Sequence, residues 1–340
     1  MFKHIAIVGA TGAVGQEFCR ILEQRAFPYE KITFLASSRS AGKPLEFKGQ
    51  THTVRELKED SFVGVDLALF SAGGSITKKF APIAAKAGCV VVDNSSAFRM
   101  DPNTPLVVPE VNPQDLEKHQ NIIANPNCST IIMIVPVASL YRENRIKRIV
   151  ASTYQAASGA GYQAMVELEE QARDVLAGNP FEAKILPHQI AFNLFSHNSA
   201  VGENGYNEEE MKMAKETRKM LHDNDIQITA TCVRVPVMRA HSESINLTFE
   251  KPMSEDRVRE ILASAPGVKI VDDRKGSYFP MPIDASDQDD VLVGRIRQDI
   301  SQPDGRGIEL FVSGDQLRKG AALNAVQIAE ALDQVTATTS

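Results

Sequence analysis

Apolar residues in the first third of the chain come in short bursts separated by stretches of helical periodicity. Ile5-Ala6-Ile7-Val8 is one burst, and Phe18, Ile21 and Leu22 follow it at helical spacing. Further bursts at 32–36, 65–70 and 89–93 each run into small or polar residues. Strand, turn and helix in repetition predict a parallel sheet with ligands at the strand C-termini. The pattern then changes. The apolar run 131–135 predicts a helix that Pro136 interrupts or kinks. Segments 149–154, 229–237 and 245–249 read as strands, and 207–221 reads as a helix, so the fold class is α/β with a second, differently built half.

Gly9-Ala-Thr-Gly12-Ala-Val-Gly15 follows the first strand directly and opens a helix. In that context Gly9 permits a tight turn, Gly12 admits a pyrophosphate to the backbone, and Gly15 allows close helix–strand packing. The helix N-terminus then offers N–H groups to the phosphates. A dinucleotide site, and with it a Rossmann-like first domain, is the better reading than an empty glycine turn. After the second strand, Ser37-Ser38-Arg39-Ser40-Ala-Gly-Lys43 carries hydroxyls and two cations in place of an acidic residue. That favours a ribose 2′-phosphate, hence NADP over NAD. Ser71, Gly73 and Asn94, after later strands, would line the same cleft.

Composition narrows the function. A chain of 340 residues predicts two domains. A net charge of −6 with no basic block argues against nucleic acid. No apolar run approaches the roughly 18 residues of a membrane span, and the N-terminus enters a strand instead of a signal peptide. Four cysteines (19, 89, 128 and 232) and seven dispersed histidines show no ligand spacing, so no metal site is expected and a reducing cytoplasm fits. The tail 336–340 reads as a frayed end.

The chemistry concentrates on Asn125-Pro-Asn-Cys-Ser-Thr130, which sets Cys128 on a turn directly before the apolar helix. A thiol at a helix N-terminus is favoured as thiolate. An isolated cysteine is more often inert and buried; its company overturns that reading. His241, placed on a loop between strands, is a candidate general base. Gln155, opening the small-residue loop 155–161, can offer an amide and backbone N–H groups to an oxyanion. Asn207 and Glu210 suggest a capping box, with Glu209 and Lys212 sharing the next helical face. Arg99, beyond a strand end, can grip a phosphate or carboxylate.

These segments, with Tyr154-Gln-Ala-Ala-Ser-Gly-Ala-Gly161, Arg234-Val-Pro-Val-Met-Arg-Ala-His241 and Leu317-Arg-Lys-Gly-Ala-Ala-Leu-Asn-Ala325, occur in an order that resembles aspartate-semialdehyde dehydrogenases. The resemblance implies NADPH-dependent reductive dephosphorylation of L-aspartyl 4-phosphate to L-aspartate 4-semialdehyde, a step toward lysine, threonine and methionine. Cys128 would form a thioacyl-enzyme, His241 would shuttle its proton and Gln155 would orient the acyl group. Arg99 and Lys212 would bind phosphate, Arg234 the α-carboxylate and Glu209 the α-ammonium. Cofactor contacts would come from Gly9, Thr11, Gly12, Ala13 and Val14, then from Ser37, Ser38, Arg39 and Ser40. Ser71, Gly73, Ser158, Gly159 and Asn324 would complete them. The implied domains are 1–127, completed by a C-terminal helix at 315–336, and an α+β catalytic and dimerisation domain at 128–314 forming a homodimer. N-acetyl-glutamyl-phosphate reductase is the nearest enzymatic rival, but its substrate has no free ammonium for Glu209. A catalytically dead redox sensor using Cys128 is the rival from another class. His188 and His197 read as loop residues near a subunit contact, with no assigned role.

Overall fold

The computed structural model describes residues 2–338. The chain forms two compact units, Met1–Asn127 with Ala321–Ser340, and Cys128–Gly320.

The first unit contains β1 (His4–Val8), α1 (Ala13–Gln24), β2 (Lys31–Ala36) and a small hairpin of β3 (Pro44–Phe47) and β4 (Gln50–Thr53). β5 (Arg55–Glu56), β6 (Leu67–Phe70), α2 (Gly74–Lys86), β7 (Val90–Asp93) and β8 (Ile122–Ala124) follow. Six strands form a sheet in the order β5-β2-β1-β6-β7-β8, with every pairing parallel. A parallel sheet is covered on both faces, which is why its strands are continuous apolar runs. Ile5 and Ile7 pack with Phe18 and Leu22 of α1 and with Val326 and Ile328 of the C-terminal helix. Ala6 and Val8 point the other way, to Phe80 and Ala84 of α2.

The strand order reverses between β1 and β6, and Gly9 sits at that switch point with φ +86°. A Cβ at Gly9 would lie 2.3 Å from the Ser71 carbonyl oxygen, and one at Gly15 would lie 2.3 Å from the Gly9 carbonyl oxygen. Both glycines are therefore demanded by the turn itself. The returning helix differs from its expected 315–336 span. Residues through Gly320 belong to the second unit, Arg318–Ala322 form a π-helical turn, and the α-helix is Leu323–Thr338. The tail expected to fray is helical as far as Thr338; Thr339 and Ser340 lie outside the described residues.

The second unit opens with α3 (Cys128–Glu143) and β9 (Ile146–Gln155), then α4 (Tyr162–Ala177), β10 (Phe195–Ser196) and α5 (Glu208–Leu221). β11 (Gln227–Arg234), β12 (His241–Phe249), α6 (Glu255–Ser264), β13 (Val268–Ile270), β14 (Val291–Gln298) and β15 (Gly307–Gly314) complete the main elements. Its seven strands run β10-β11-β9-β12-β15-β14-β13 in a mixed sheet, parallel at β9–β11 and β13–β14. Ser129 through Ala138 are all buried, and α3 packs on β9, β12, β14 and β15. Pro136 does not end α3. The apolar packing of its buried residues on the sheet outweighs the lost N–H and carries the helix through the proline.

Substituting Gly15→Ala should destabilise the first unit by about 1–3 kcal/mol, the range for forced overpacking. Thermal unfolding of the purified variant checks this; an unchanged midpoint would mean that the turn relaxes around the added methyl.

Candidate active site

The N-terminal residue of α3 is Cys128, so its thiol stands where the first-turn N–H groups have no intrahelical acceptor. It is the half-buried one of four free cysteines; Cys19, Cys89 and Cys232 are buried. Burial pushes the thiols of Cys19 and Cys89 up to about 12 and raises that of Cys232 likewise. The Cys128 Sγ lies 3.6 Å from Nε2 of His241. A Cβ on Gly320 would come within 3.0 Å of the Cys128 Cβ, so glycine there keeps the thiol in its place.

His241 is not on a loop. It is the first residue of β12, fully buried, and paired with Gly314 of β15. Sequence reading missed this because the strand begins with polar residues, four positions before its apolar run. The Ala156 N–H donates to His241 Nδ1 at 3.0 Å. A neutral ring that accepts at Nδ1 carries its hydrogen on Nε2, the nitrogen facing the sulfur. Burial, with Arg234 nearby, lowers the ring's pKa to about 3, so it is neutral at physiological pH.

Gln155 ends β9, and its amide nitrogen donates to Ser129 Oγ at 3.0 Å and to Glu209 Oε1 at 3.1 Å. Both amide hydrogens are thus engaged within the protein. The following loop forms a 3₁₀ turn, Ala157–Ala160, in which the N–H groups of Ala157, Ser158 and Gly159 bond to Val237, Met238 and Ala156. The expected oxyanion donors of 155–161 are consumed by folding this turn. His241 Nε2 and the first-turn N–H groups of α3 are the donors that stand at the Cys128 thiol.

Asn207 caps α5: its side chain accepts from the Glu210 N–H, and Glu210 accepts from the Asn207 N–H, both at 2.9 Å. The box fixes the first turn, where Glu209 is buried and meets Lys212 at 3.0 Å. At the end of β11, Arg234 is 5% exposed. Its Nη1 donates to the Ala156 carbonyl at 3.2 Å, its Nη2 meets His197 Nε2 at 2.9 Å, and its Nε has no partner among the described residues. A buried guanidinium without a carboxylate at ion-pair distance among the described residues is a site for an incoming anion. A Cβ on Gly159 would lie 2.9 Å from Arg234 Nη1 and 3.0 Å from His241 Cε1. Gly159, expected at the cofactor, thus stands against both side chains.

In the first unit Arg99 is buried, donating to the carbonyls of Asn125 and Asn94 at 2.9 and 2.8 Å. Asn324 donates to Val107 and Asn125. Ser37, Ser38 and Arg39 are exposed beyond β2, and Thr11 reaches Ser40 at 3.4 Å. Ala13 and Val14 begin α1, while Gly73 caps α2 at φ +85°.

Comparison with known proteins matches a family signature described as semialdehyde dehydrogenase, NAD binding domain, to residues 4–119, and one described as semialdehyde dehydrogenase, dimerisation domain, to 137–319. An aspartate-semialdehyde dehydrogenase from Synechocystis is 58% identical over 96% of both chains. The chain belongs to the aspartate-semialdehyde dehydrogenase family. A crystal structure of aspartate semialdehyde dehydrogenase II from Vibrio cholerae, complexed with ASA, superposes with TM-score 0.95 at 45% identity, covering 98% of this chain and 99% of that one. The Candida albicans enzyme, solved with NADP, gives TM-score 0.76 at 25% identity, covering 98% and 99%. The family's two-part construction, a Rossmann-like parallel sheet and a mixed sheet, is the one seen here.

Within this family fold, the sequence reading missed Ser129, Ala156 and His197 as neighbours of the site. Only the last carried a signal, a histidine in a polar loop. His188 packs its ring edge-on to Phe195 at 5.3 Å, away from the cluster's hydrogen bonds. Limited alkylation of the native protein should label Cys128 at least about 100-fold faster than the three buried thiols. Peptide mass spectrometry reads this out, and early labelling of Cys19, Cys89 or Cys232 would contradict the exposure pattern.

Proposed function

We propose that the chain reduces L-aspartyl 4-phosphate to L-aspartate 4-semialdehyde with NADPH, through a thioester on Cys128. The observation that carries this is the convergence of Cys128, His241, Arg234 and Glu209 in one cluster. A nucleophile and its imidazole lie beside a buried cation and a buried carboxylate, the pair needed for the two charged groups of an amino acid.

In this reading the Cys128 thiolate attacks the acyl phosphate carbon. The C–S bond forms, the bond to the phosphate oxygen breaks, and inorganic phosphate departs; the resemblance implies Arg99 and Lys212 as its binding residues. A thioester accepts hydride more readily than a carboxylate, so the covalent route divides one hard step in two. Bound NADPH supplies the hydride. The resulting oxyanion on the substrate carbon is stabilised by His241 Nε2–H, and its collapse releases the aldehyde and returns the thiolate. His241 therefore works first as a neutral hydrogen-bond donor. To act as a base toward the thiol it would need a bare Nε2, which the Ala156 N–H on Nδ1 opposes. The thiol proton leaves to solvent.

Several features of the first unit fit NADP. A Cβ at Gly12 would meet only the Gly9 carbonyl oxygen, at 3.4 Å, so packing does not require glycine there. Space for a pyrophosphate does. Arg39 and Lys43 are exposed and have no ion-pair partner among the described residues, as a 2′-phosphate site needs. Gly73 would border the same cleft, and Ser71, Ala13, Val14 and Asn324 belong to elements around it. Ser158 and Gly159 would also contact the cofactor, as the resemblance implies. The chain would act as a cytoplasmic homodimer; among the described residues no helix is long and apolar enough to cross a membrane.

Phosphate-dependent NADP reduction with L-aspartate 4-semialdehyde tests the reading, and preference for the N-acetyl-glutamate compound would refute it. Cys128→Ser should lose turnover by about 10³-fold or more while keeping NADP affinity; retained turnover removes the nucleophile. Gly12→Ala should weaken NADP binding by at least about 10-fold with little change in melting temperature. Unaltered titration of cofactor fluorescence would place the pyrophosphate elsewhere.

A further inference from the structure

We infer that His197 is a positioning residue that orients Arg234 and sets its spacing from Glu209, tuning the site to the carboxylate and ammonium of one amino acid. This deepens the function proposed above and rests on its reading of Arg234 as the carboxylate anchor.

The polypeptide brings His197 in directly after β10, where its N–H bonds to the Cys232 carbonyl at 2.8 Å. Its ring then faces the guanidinium, with Nε2 at 2.9 Å from Arg234 Nη2. A guanidinium has only hydrogens to offer, so Nε2 must be the acceptor there. The Ser199 N–H also points at Nδ1, at 3.2 Å, but the shorter contact with the charged Arg234 decides the tautomer and places the ring's hydrogen on Nδ1. Nδ1 lies 3.1 Å from Ser199 Oγ, and the Glu209 N–H donates to that same hydroxyl at 3.2 Å. A continuous path thus runs from Arg234 on β11 through His197 and Ser199 to the first turn of α5, which carries Glu209.

The opposite edge of the guanidinium is held by the Ala156 carbonyl, with Gly159 leaving it room. With Nη1 and Nη2 each tied at one hydrogen, the guanidinium plane is fixed while Nε stays unpartnered. A planar fork presented at one angle recognises a carboxylate bidentately. Without His197, one face of that fork would lose its restraint and the path to α5 would break.

The groups around the ring make its neutral form the working one. Burial first, then Arg234 of β11 and Lys212 of α5, disfavour a second cation, while Glu209 of α5 favours one; His241 of β12 faces the same region as a neutral ring. The ring's pKa falls to about 4. Protonation would replace the acceptor at Nε2 with a donor pointed at a donor. The semialdehyde KM should therefore rise as pH falls toward that value, and stay flat above it.

Steady-state kinetics of His197→Leu and His197→Gln in the phosphate-dependent direction, with Arg234→Lys as reference, test the inference. The leucine variant should raise the KM for L-aspartate 4-semialdehyde about 10-fold or more, with kcat within about threefold and the phosphate KM unmoved. Glutamine, whose amide oxygen reaches as far as Nε2, should recover most of that loss and abolish the acid rise in KM. If Arg234→Lys raises the semialdehyde KM and His197→Leu does not, the positioning role is overturned and the anchor stands. If Arg234→Lys leaves that KM unchanged, the anchor assignment fails and takes the inference with it. If both His197 variants lose kcat, KM and melting temperature together, without rescue by glutamine, His197 is merely structural and the inference is wrong.

Discussion

The backbone of Ala156 holds the two side chains on which the candidate site depends. Its N–H takes Nδ1 of His241, and its carbonyl takes Nη1 of Arg234. The two peptide planes that meet at its Cα thereby hold a ring beside the Cys128 thiol and a buried cation at one fixed spacing. The residue sits where β9 gives way to a 3₁₀ turn, at φ −66° and ψ 157°, an unstrained extended conformation. The next three N–H groups are taken by the carbonyls of Val237, Met238 and Ala156, so the geometry is locked by hydrogen bonds within the protein. Preorganisation of this kind means that charge developing in the reaction meets dipoles already in place.

Around that peptide the polar groups form a network with few loose ends. Gln155 ties Ser129 of α3 to Glu209 of α5, and Lys212 neutralises the outer carboxylate oxygen. The exceptions are informative. Arg234 Nε is buried without a partner among the described residues. Glu243, two residues along β12 from His241, is fully buried with neither oxygen bonded among the described residues, and burial raises its pKa well above the carboxylate range. Burial, and the Glu209 carboxylate nearby, both favour its protonated form.

Several parts of this arrangement were readable in the linear order of residues. The burst–turn–helix rhythm marked the parallel sheet, since strands buried on both faces must be apolar throughout. The Asn207–Glu210 box was legible because capping is a contact between residues three apart. Cys128 before an apolar run pointed to a thiol at a helix start. The strand start at His241 was hidden, because polar residues lead into it and its burial comes from the elements packed over it. The oxyanion role of the 155–161 loop was misjudged for a related reason. A run of small residues looks the same whether its N–H groups face solvent or close on carbonyls of residues 237 and 238.

Local chemistry in the sequence determined the inventory: a cysteine at a helix start, a glycine turn, two loop cations, and a helix carrying Glu209 and Lys212. Tertiary structure decided what each titratable group does. Which nitrogen of His241 bears the hydrogen depends on a peptide 85 positions away, and whether His197 donates or accepts depends on an arginine 37 positions away. Proton placement follows from the group standing opposite. In a mixed sheet that neighbour is chosen by strand pairing across long loops, and no local spacing encodes it.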